Sequence, residues 1–214
     1  TYDDLNRLKT VTDPDGGVTT YTYNNVGNRK SVTYPNGVVA EHKYDRLNRL
    51  IKLENRNAAG DLISGYIYTL GPAGNREQVE ELHSGRVVKY SYDELNRLIT
   101  EEITDPVLGN ETISYTYDAF GNRLTKADSN GTLTYSYNDN DELLSETGPG
   151  HSLTYGYDGN GNTVSRSDGT DTVIYGYDCE NRIVSAGSAA YAYDADGIRV
   201  SSANGGSVDR KSVV

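Results

Sequence analysis

Ile113-Ser114-Tyr115-Thr116-Tyr117-Asp118-Ala119-Phe120-Gly121-Asn122-Arg123-Leu124 decides the fold of this chain, because one short stretch holds a strand, a turn and the start of a second strand. Ile113, Tyr115 and Tyr117 fall on one face of an extended chain, while Ser114 and Thr116 fall on the other. Such alternation is a strand signal. Asp118, Gly121 and Asn122 then supply side-chain-to-backbone hydrogen bonds and positive φ angles, the chemistry of a turn. Arg123-Leu124-Thr125-Lys126-Ala127 reads as a second strand, and its first apolar residue recurs as Leu8, Leu50, Leu98, Val164, Ile183 and Val200.

The phrase of tyrosine, acid or amide, turn and Asn-Arg occurs ten times, starting at Tyr2, Tyr23, Tyr44, Tyr68, Tyr92, Tyr117, Tyr137, Tyr157, Tyr177 and Tyr193. The spacing runs from 16 to 25 residues. A fixed period near 20 residues marks a stacked repeat. A second aromatic stands two residues before the first in most copies, as in Tyr21/Tyr23, Tyr66/Tyr68, Tyr135/Tyr137 and Tyr175/Tyr177, so the two rings share a strand face. A second turn closes each unit, clearest at Asn36-Gly37 and Asn130-Gly131, a dipeptide suited to tight hairpins.

These features predict an all-β chain: an antiparallel β-meander of tandem repeats over residues 1–203, with an irregular tail over 204–214. Copy 4, Tyr68-Thr69-Leu70-Gly71-Pro72-Ala73-Gly74-Asn75-Arg76, reads as a turn lengthened by two residues, and Asp105–Asn110 extends the opposite turn. One repeat cannot stand alone. Ordering its backbone costs at least about 20 kcal/mol, whereas each buried apolar side chain returns about 1.5–3 kcal/mol. A sheet this wide is expected to curve, spiral or form part of a larger shell, because twisted open sheets rarely exceed ~10 strands.

Composition fits a thin sheet. Nineteen tyrosines against one phenylalanine and no tryptophan carry the aromatic content of a chain only 35% hydrophobic. Tyrosine buries a ring while its hydroxyl seeks a hydrogen bond. A net charge of −11 argues against binding a phosphate backbone. No apolar run approaches the ~18 residues of a membrane span. The chain opens at Thr1 inside a motif and contains no methionine, so it reads as a piece of a longer protein with any targeting segment elsewhere. The single Cys179 permits no internal disulfide and fills a variable turn slot.

No catalytic constellation is legible. Asn138–Glu142 and Asp158–Asn162 carry oxygen donors that invite a calcium reading. A loop of the EF-hand kind needs an acid at its twelfth position, and counting from Asp139 and Asp158 that position is Gly150 and Gly169. His42 replaces a tyrosine of a pair, and His83 and His151 lie at turn-like positions; none has metal-ligand spacing or a neighbouring nucleophile. The recurring arginines are expected to bridge to turn carboxylates or stack on rings. Copies 7 and 8 replace arginine with Glu142 and Thr163 and are expected to lose that contact. No catalytic, cofactor or metal residue is therefore assigned, and no cofactor is expected.

Tyr44-Asp45-Arg46-Leu47-Asn48-Arg49-Leu50 and Tyr117–Leu124 resemble the YD repeats of the Rhs family, which includes bacterial toxin shells, cocoon-forming components of toxin complexes, and the animal teneurins. The resemblance covers residues 1 to 203 or so. It implies a hollow β-shell whose wall is structural and not enzymatic, enclosing a C-terminal toxin in bacterial members. It also implies a secreted or cell-surface bacterial protein, with the rest of the shell and an enclosed toxin polypeptide as partners. The self-cleaving plug region of such shells has no counterpart here. A carbohydrate-binding or adhesive surface module is the alternative, because tyrosines with Asn and Asp can stack on and hydrogen-bond sugars.

Overall fold

The computed structural model describes residues 1–204, and the backbone of 207–210. It forms two compact units, Thr1–Ser114 and Tyr115–Val214. No helix occurs among the described residues.

In the first unit the strands are β1 (Thr10–Thr12), β2 (Val18–Tyr23), β3 (Arg29–Thr33), β4 (Val39–Tyr44), β5 (Leu50–Arg56), β6 (Leu62–Leu70), β7 (Arg76–Glu81), β8 (Val87–Tyr92) and β9 (Leu98–Thr104); the unit ends within β10 (Glu111–Tyr117). Each strand from β1 to β9 pairs antiparallel with the next in sequence, and β9 pairs with β10 through Ile103 and Glu111. The second unit continues with β11 (Arg123–Asp128), β12 (Gly131–Tyr137), β13 (Leu143–Gly148), β14 (His151–Tyr157), β15 (Thr163–Ser167), β16 (Thr172–Tyr177), β17 (Ile183–Ala186), β18 (Ala189–Tyr193), β19 (Arg199–Asn204) and β20 (Ser207–Arg210). From β11 to β20 the order is again a meander. The backbone of Ser207–Arg210 thus pairs with β19 where the sequence predicts an irregular tail, because the outer edge of β19 offers unpaired backbone groups to the next segment. The remainder of that tail lies outside the described residues.

Register fixes two unlike faces. On one, the tyrosine two residues before the end of β2, β12 and β14 opposes an apolar or charged partner: Tyr21 meets Val32, Tyr135 meets Glu146 and Tyr155 meets Arg166. On the other, hydroxyls pair across the strands, Thr22 with Ser31 at 2.6 Å, Thr116 with Thr125 at 2.7 Å and Ser136 with Ser145 at 2.6 Å. Buried apolar side chains are few among the described residues: Val32, Ala40, Val79, Val88, Tyr135 and Leu153. Two pairs of them, Val32/Ala40 and Val79/Val88, are cross-strand partners on the ring face. Such scarcity means that cross-strand contact within each unit supplies most of the burial.

The ten motif turns share one backbone form. Their first residues are Asp3, Asn24, Asp45, Gly71, Asp93, Asp118, Asn138, Asp158, Asp178 and Asp194, taken here as turn position 1. The position 1 N–H donates to the position 5 carbonyl, and the position 4 N–H donates to the position 1 carbonyl. Position 4 has positive φ throughout, from 58° at Asn6 to 99° at Gly121. The next strand then carries a bulge, as where Tyr137 opposes Leu143 and Ser136 opposes Ser145. This frame corrects copy 4. Its turn is Gly71–Asn75 and has ordinary length; β6 is longer instead, and Leu70 takes the place of the tyrosine before the turn.

The opposite turns also differ from the dipeptide reading. Asn36-Gly37 lies in a longer Tyr34–Val38 turn of the same backbone form. Gly131 opens β12 opposite Asp128, leaving Ser129 and Asn130 as the loop.

Candidate functional site

The turn edge gathers most of the chain's polar chemistry. At position 1 the Oδ1 atom accepts the N–H groups of positions 3 and 5, as Asp45 does from Leu47 at 2.8 Å and Arg49 at 2.9 Å. Asn24 and Asn138 do the same with an amide oxygen. Gly71 has no side chain, and Glu77 and Asn75 fill the space: a Cβ there would lie 2.6 Å from Glu77 Oε1.

Aligned by position, the turns alternate between two classes that a shared Asn-Arg conceals. The odd turns carry Asn6, Asn48, Asn96, Asp141 and Asn181 at position 4, and the even turns carry Gly27, Gly74, Gly121, Gly161 and Gly197. Position 5 is Arg7, Arg49, Arg97, Glu142 and Arg182 in odd turns, but Asn28, Asn75, Asn122, Asn162 and Ile198 in even ones. The "Asn-Arg" of odd turns thus occupies positions 4 and 5, and that of even turns occupies 5 and 6.

Position 5 pairs with position 1 in both classes. Arg7, Arg49, Arg97 and Arg182 reach Asp3, Asp45, Asp93 and Asp178 at 2.6–2.7 Å. The Arg7 guanidinium holds the Asp3 carboxyl below its ordinary value. In Asp45, Asp93 and Asp178 the backbone N–H of the position 5 arginine is the largest cause of the same lowering. Asn122 and Asn162 donate to Asp118 and Asp158. At copy 7, where Glu142 replaces the arginine, Asn138 Nδ2 donates to Glu142 Oε2, the same pair of positions with its polarity reversed.

Alternation follows from how neighbouring turns meet within each unit. An even turn extends its position 5 amide to the position 4 side chain of the next odd turn: Asn28 to Asn48 at 2.8 Å, Asn122 to Asp141 at 2.7 Å, Asn162 to Asn181 at 2.9 Å. An odd turn lays its long position 5 side chain against the glycine of the next even turn. A Cβ at Gly74 would stand 4.0 Å from Arg49 Nη1, which also donates to Gly71 O at 2.9 Å, and a Cβ at Gly161 would stand 3.3 Å from Glu142 Oε1.

The tyrosine before the turn ties one repeat to the one before it. Its hydroxyl donates to the position 6 carbonyl of the preceding turn: Tyr23 to Leu8, Tyr44 to Arg29 and Tyr92 to Arg76 in the first unit, and Tyr137 to Arg123, Tyr157 to Leu143, Tyr177 to Thr163 and Tyr193 to Ile183 in the second. The distances are 2.7–3.1 Å. Each carbonyl lies two residues outside the last registered backbone pair, for example beyond Ser145–Thr154 for Leu143. The hydroxyl therefore continues the ladder where the strands part, which a phenylalanine could not do.

Both expected roles of arginine occur. Besides the carboxylate pairs, Arg7 lies over Tyr23 at 4.5 Å, Arg123 over Tyr135 at 4.4 Å and Arg76 over Tyr68 at 4.8 Å. Thr163 has no such reach.

The paired tyrosines are half-buried, with Tyr135 alone among them buried. Two open grooves sit where an even turn meets an odd one. One of about 740 Å³ is lined by Asn75, Tyr90, Tyr92, Asp93 and Asn96. Its counterpart of about 350 Å³ has Asn122, Tyr135, Tyr137, Asn138 and Asp141 at the same positions.

The oxygen-rich turns use their donors internally: Asn138 Oδ1 takes the N–H groups of Asn140 and Glu142, and Asp158 Oδ1 those of Asn160 and Asn162. Among the described residues no three His, Cys, Asp or Glu side chains gather as metal ligands. His151 opens β14 within 3.4 Å of Glu146, to which Tyr155 donates at 2.7 Å. His83 packs edge-on against Tyr66, and Cys179 is exposed at position 2.

Comparison with known proteins agrees with this repeat chemistry. The family model described as RHS Repeat matches residues 2–39, and the one described as Teneurin YD-shell matches residues 121–208. The chain belongs to the Rhs-type YD-repeat family. No curated protein matches this YD-repeat chain in sequence. Its fold is similar to a crystal structure of TcdB2-TccC3 without the hypervariable C-terminal region, with a TM-score of 0.70 at 16% identity over 98% of this chain. A second crystal structure, TcdB2-TccC3-TEV, aligns with a TM-score of 0.56 at 16% identity over 94% of it. The YD-repeat chain spans 14% and 15% of those two chains, so it corresponds to a short part of each.

Proposed function

We propose that this chain is a non-enzymatic wall segment of a YD-repeat β-shell, and that the parent protein uses the shell to enclose a C-terminal toxic polypeptide. The observation that carries the reading is the tyrosine tie. Seven hydroxyls are committed to the carbonyls of neighbouring repeats. Side chains at the turns are likewise committed to one another, so the recurring residues serve cohesion. The fold likeness to TcdB2-TccC3 supports the same reading. The parent is secreted or displayed at a bacterial cell surface, and its partners are the rest of the shell and the enclosed polypeptide.

Limited proteolysis of the parent protein tests this. A shell enclosing cargo leaves the C-terminal polypeptide uncut while the wall stays intact, and opening the wall with denaturant exposes it. Cargo cut equally fast in the intact parent and as a free polypeptide would reject enclosure.

The two grooves favour a second reading, a carbohydrate-binding or adhesive module. Each offers a tyrosine pair beside Asn and an Asp or Asn, the partners a sugar ring needs. Glycan-array binding that disappears in Tyr90→Ala with retained fold would support it; a silent array would reject it.

A further inference from the structure

Turn position 3 carries chemistry that the turns themselves do not need. In the first unit it holds Leu5, Val26, Leu47, Ala73 and Leu95, and the four large side chains are 72, 68, 69 and 70% exposed. Only the backbone N–H of this residue serves its turn, by donating to position 1. Exposed turn tips are ordinarily polar. The second unit shows that the same backbone accepts polar residues there: after Phe120 come Asn140, Asn160, Glu180 and Asp196. Consecutive turns lie two strands apart, so the apolar row of the first unit repeats every ~10 Å and runs for ~40 Å along one edge.

We propose that this row is a contact surface whose occupant is a second copy of the same edge. The spacing argues for that occupant, since a partner matching a ~10 Å ruler of single side chains is most simply another row of these turns. Charge argues for it too. Position 2, beside the row, reads Asp4, Asn25, Arg46, Pro72 and Glu94. Antiparallel pairing about Ala73 sets Arg46 against Glu94 twice while Leu47 meets Leu95. Pairing about Val26 sets Asp4 against Arg46 twice while Leu5 meets Leu47. Either arrangement is self-complementary, as a two-fold contact requires. Either register overlaps three turns of each copy, a strip ~20 Å long and ~10 Å wide, and buries on the order of 400 Å² in total, well below the ~1,000 Å² of a stable interface. The contact is therefore weak between free copies and strengthens when both edges are tethered in one assembly. It does not depend on what the shell encloses.

Sedimentation velocity of the chain from micromolar to millimolar concentration is the test. A concentration-dependent dimer is expected, and Leu47→Asp with Leu95→Asp should weaken it more than tenfold while the circular dichroism spectrum and melting stay native. Self-association unchanged in that variant would assign the pairing to the open strand edges and overturn the proposal, as would a monomer at every concentration. A second measurement is independent of affinity. In a Cys179→Ser background, Leu47→Cys combined with both Leu5→Cys and Leu95→Cys, which covers the two registers, should give disulfide-linked dimers under mild oxidation, whereas Asn160→Cys should not. Equal cross-linking from the two variants would also overturn it.

Discussion

The hydroxyl of Tyr157 donates to the backbone carbonyl of Leu143, 2.9 Å away and one repeat earlier in the chain. The bond sits where the backbone ladder between β13 and β14 has ended, so it holds together two strands that would otherwise splay toward the turns. Replacing the hydroxyl leaves a carbonyl without its partner. Tyr137→Phe, Tyr157→Phe and Tyr177→Phe are each expected to cost about 1 kcal/mol in urea unfolding. Tyr175→Phe, a ring of the other slot, should cost less than about 0.5 kcal/mol. Equal losses at both slots would mean that ring packing, not the hydroxyl, sets the cost.

Asn138 and Glu142 reproduce, with donor and acceptor exchanged, the pair that Asp178 and Arg182 make two turns later. Asn138→Asp alone places two carboxylates together, and Glu142→Arg alone removes the acceptor. Both single changes should destabilise, and the double change should recover, with a favourable coupling of about 0.5–1 kcal/mol in a double-mutant cycle. Additive effects would show that the two side chains do not act as a pair.

The odd-turn aspartates predict an acid limit to stability. Asp3, Asp45, Asp93 and Asp178 have carboxyl values lowered from 3.8, Asp3 chiefly by its arginine side chain and the others chiefly by a backbone N–H. A carboxyl whose folded value lies below its unfolded one contributes stability that is present above the unfolded value and lost as pH falls through the folded one. Melting temperature should therefore hold steady above about pH 5 on account of these groups and fall below about pH 4. Asp178→Asn keeps the Oδ1 acceptor, as Asn24 does in its own turn, but removes the charge. It should flatten part of that acid slope; an unchanged slope would assign the acid loss to other carboxylates.

How much of this was legible in the sequence depends on the period involved. Alternation at a period of two placed Tyr135 and Tyr137 on one face, and glycine, asparagine and aspartate placed the turns, because those signals are local. The class alternation was hidden because Asn48-Arg49 and Asn122-Arg123 read alike although they stand one position apart in the turn. The positive φ angles at Asn48 and Gly121 separate them. The leucine or isoleucine at position 6 of odd turns, against arginine at position 6 of most even ones, was the available clue. The lengthened turn assigned to copy 4 came from aligning on Tyr68, when Leu70 holds the aligned place. The hydroxyl-to-carbonyl ties were out of reach, since they depend on where two strands part. The excess of tyrosine over phenylalanine nevertheless pointed to a use for the hydroxyl.

His42 supplies the last prediction. It fills the ring slot of β4 that Tyr21, Tyr135 and Tyr175 fill in other strands, opposite Leu53. Its Nδ1 is buried without a hydrogen-bond partner at normal geometry. Burial, and then the charge of Arg29, lower its pKa from 6.5, with backbone groups of Lys30 and Ala40 acting in the opposite direction. A histidine whose folded value lies below its unfolded one contributes most above the unfolded value. As pH falls through 6.5 the unfolded chain takes up the proton first, so stability declines until the folded form also protonates. His42→Tyr removes both the orphaned nitrogen and the titration. It should raise stability by about 1 kcal/mol at neutral pH and level the profile between about pH 5 and 7. Urea unfolding of the two proteins at both ends of that window provides the measurement. A variant that gains stability but keeps the slope would show that His42 does not set the pH dependence.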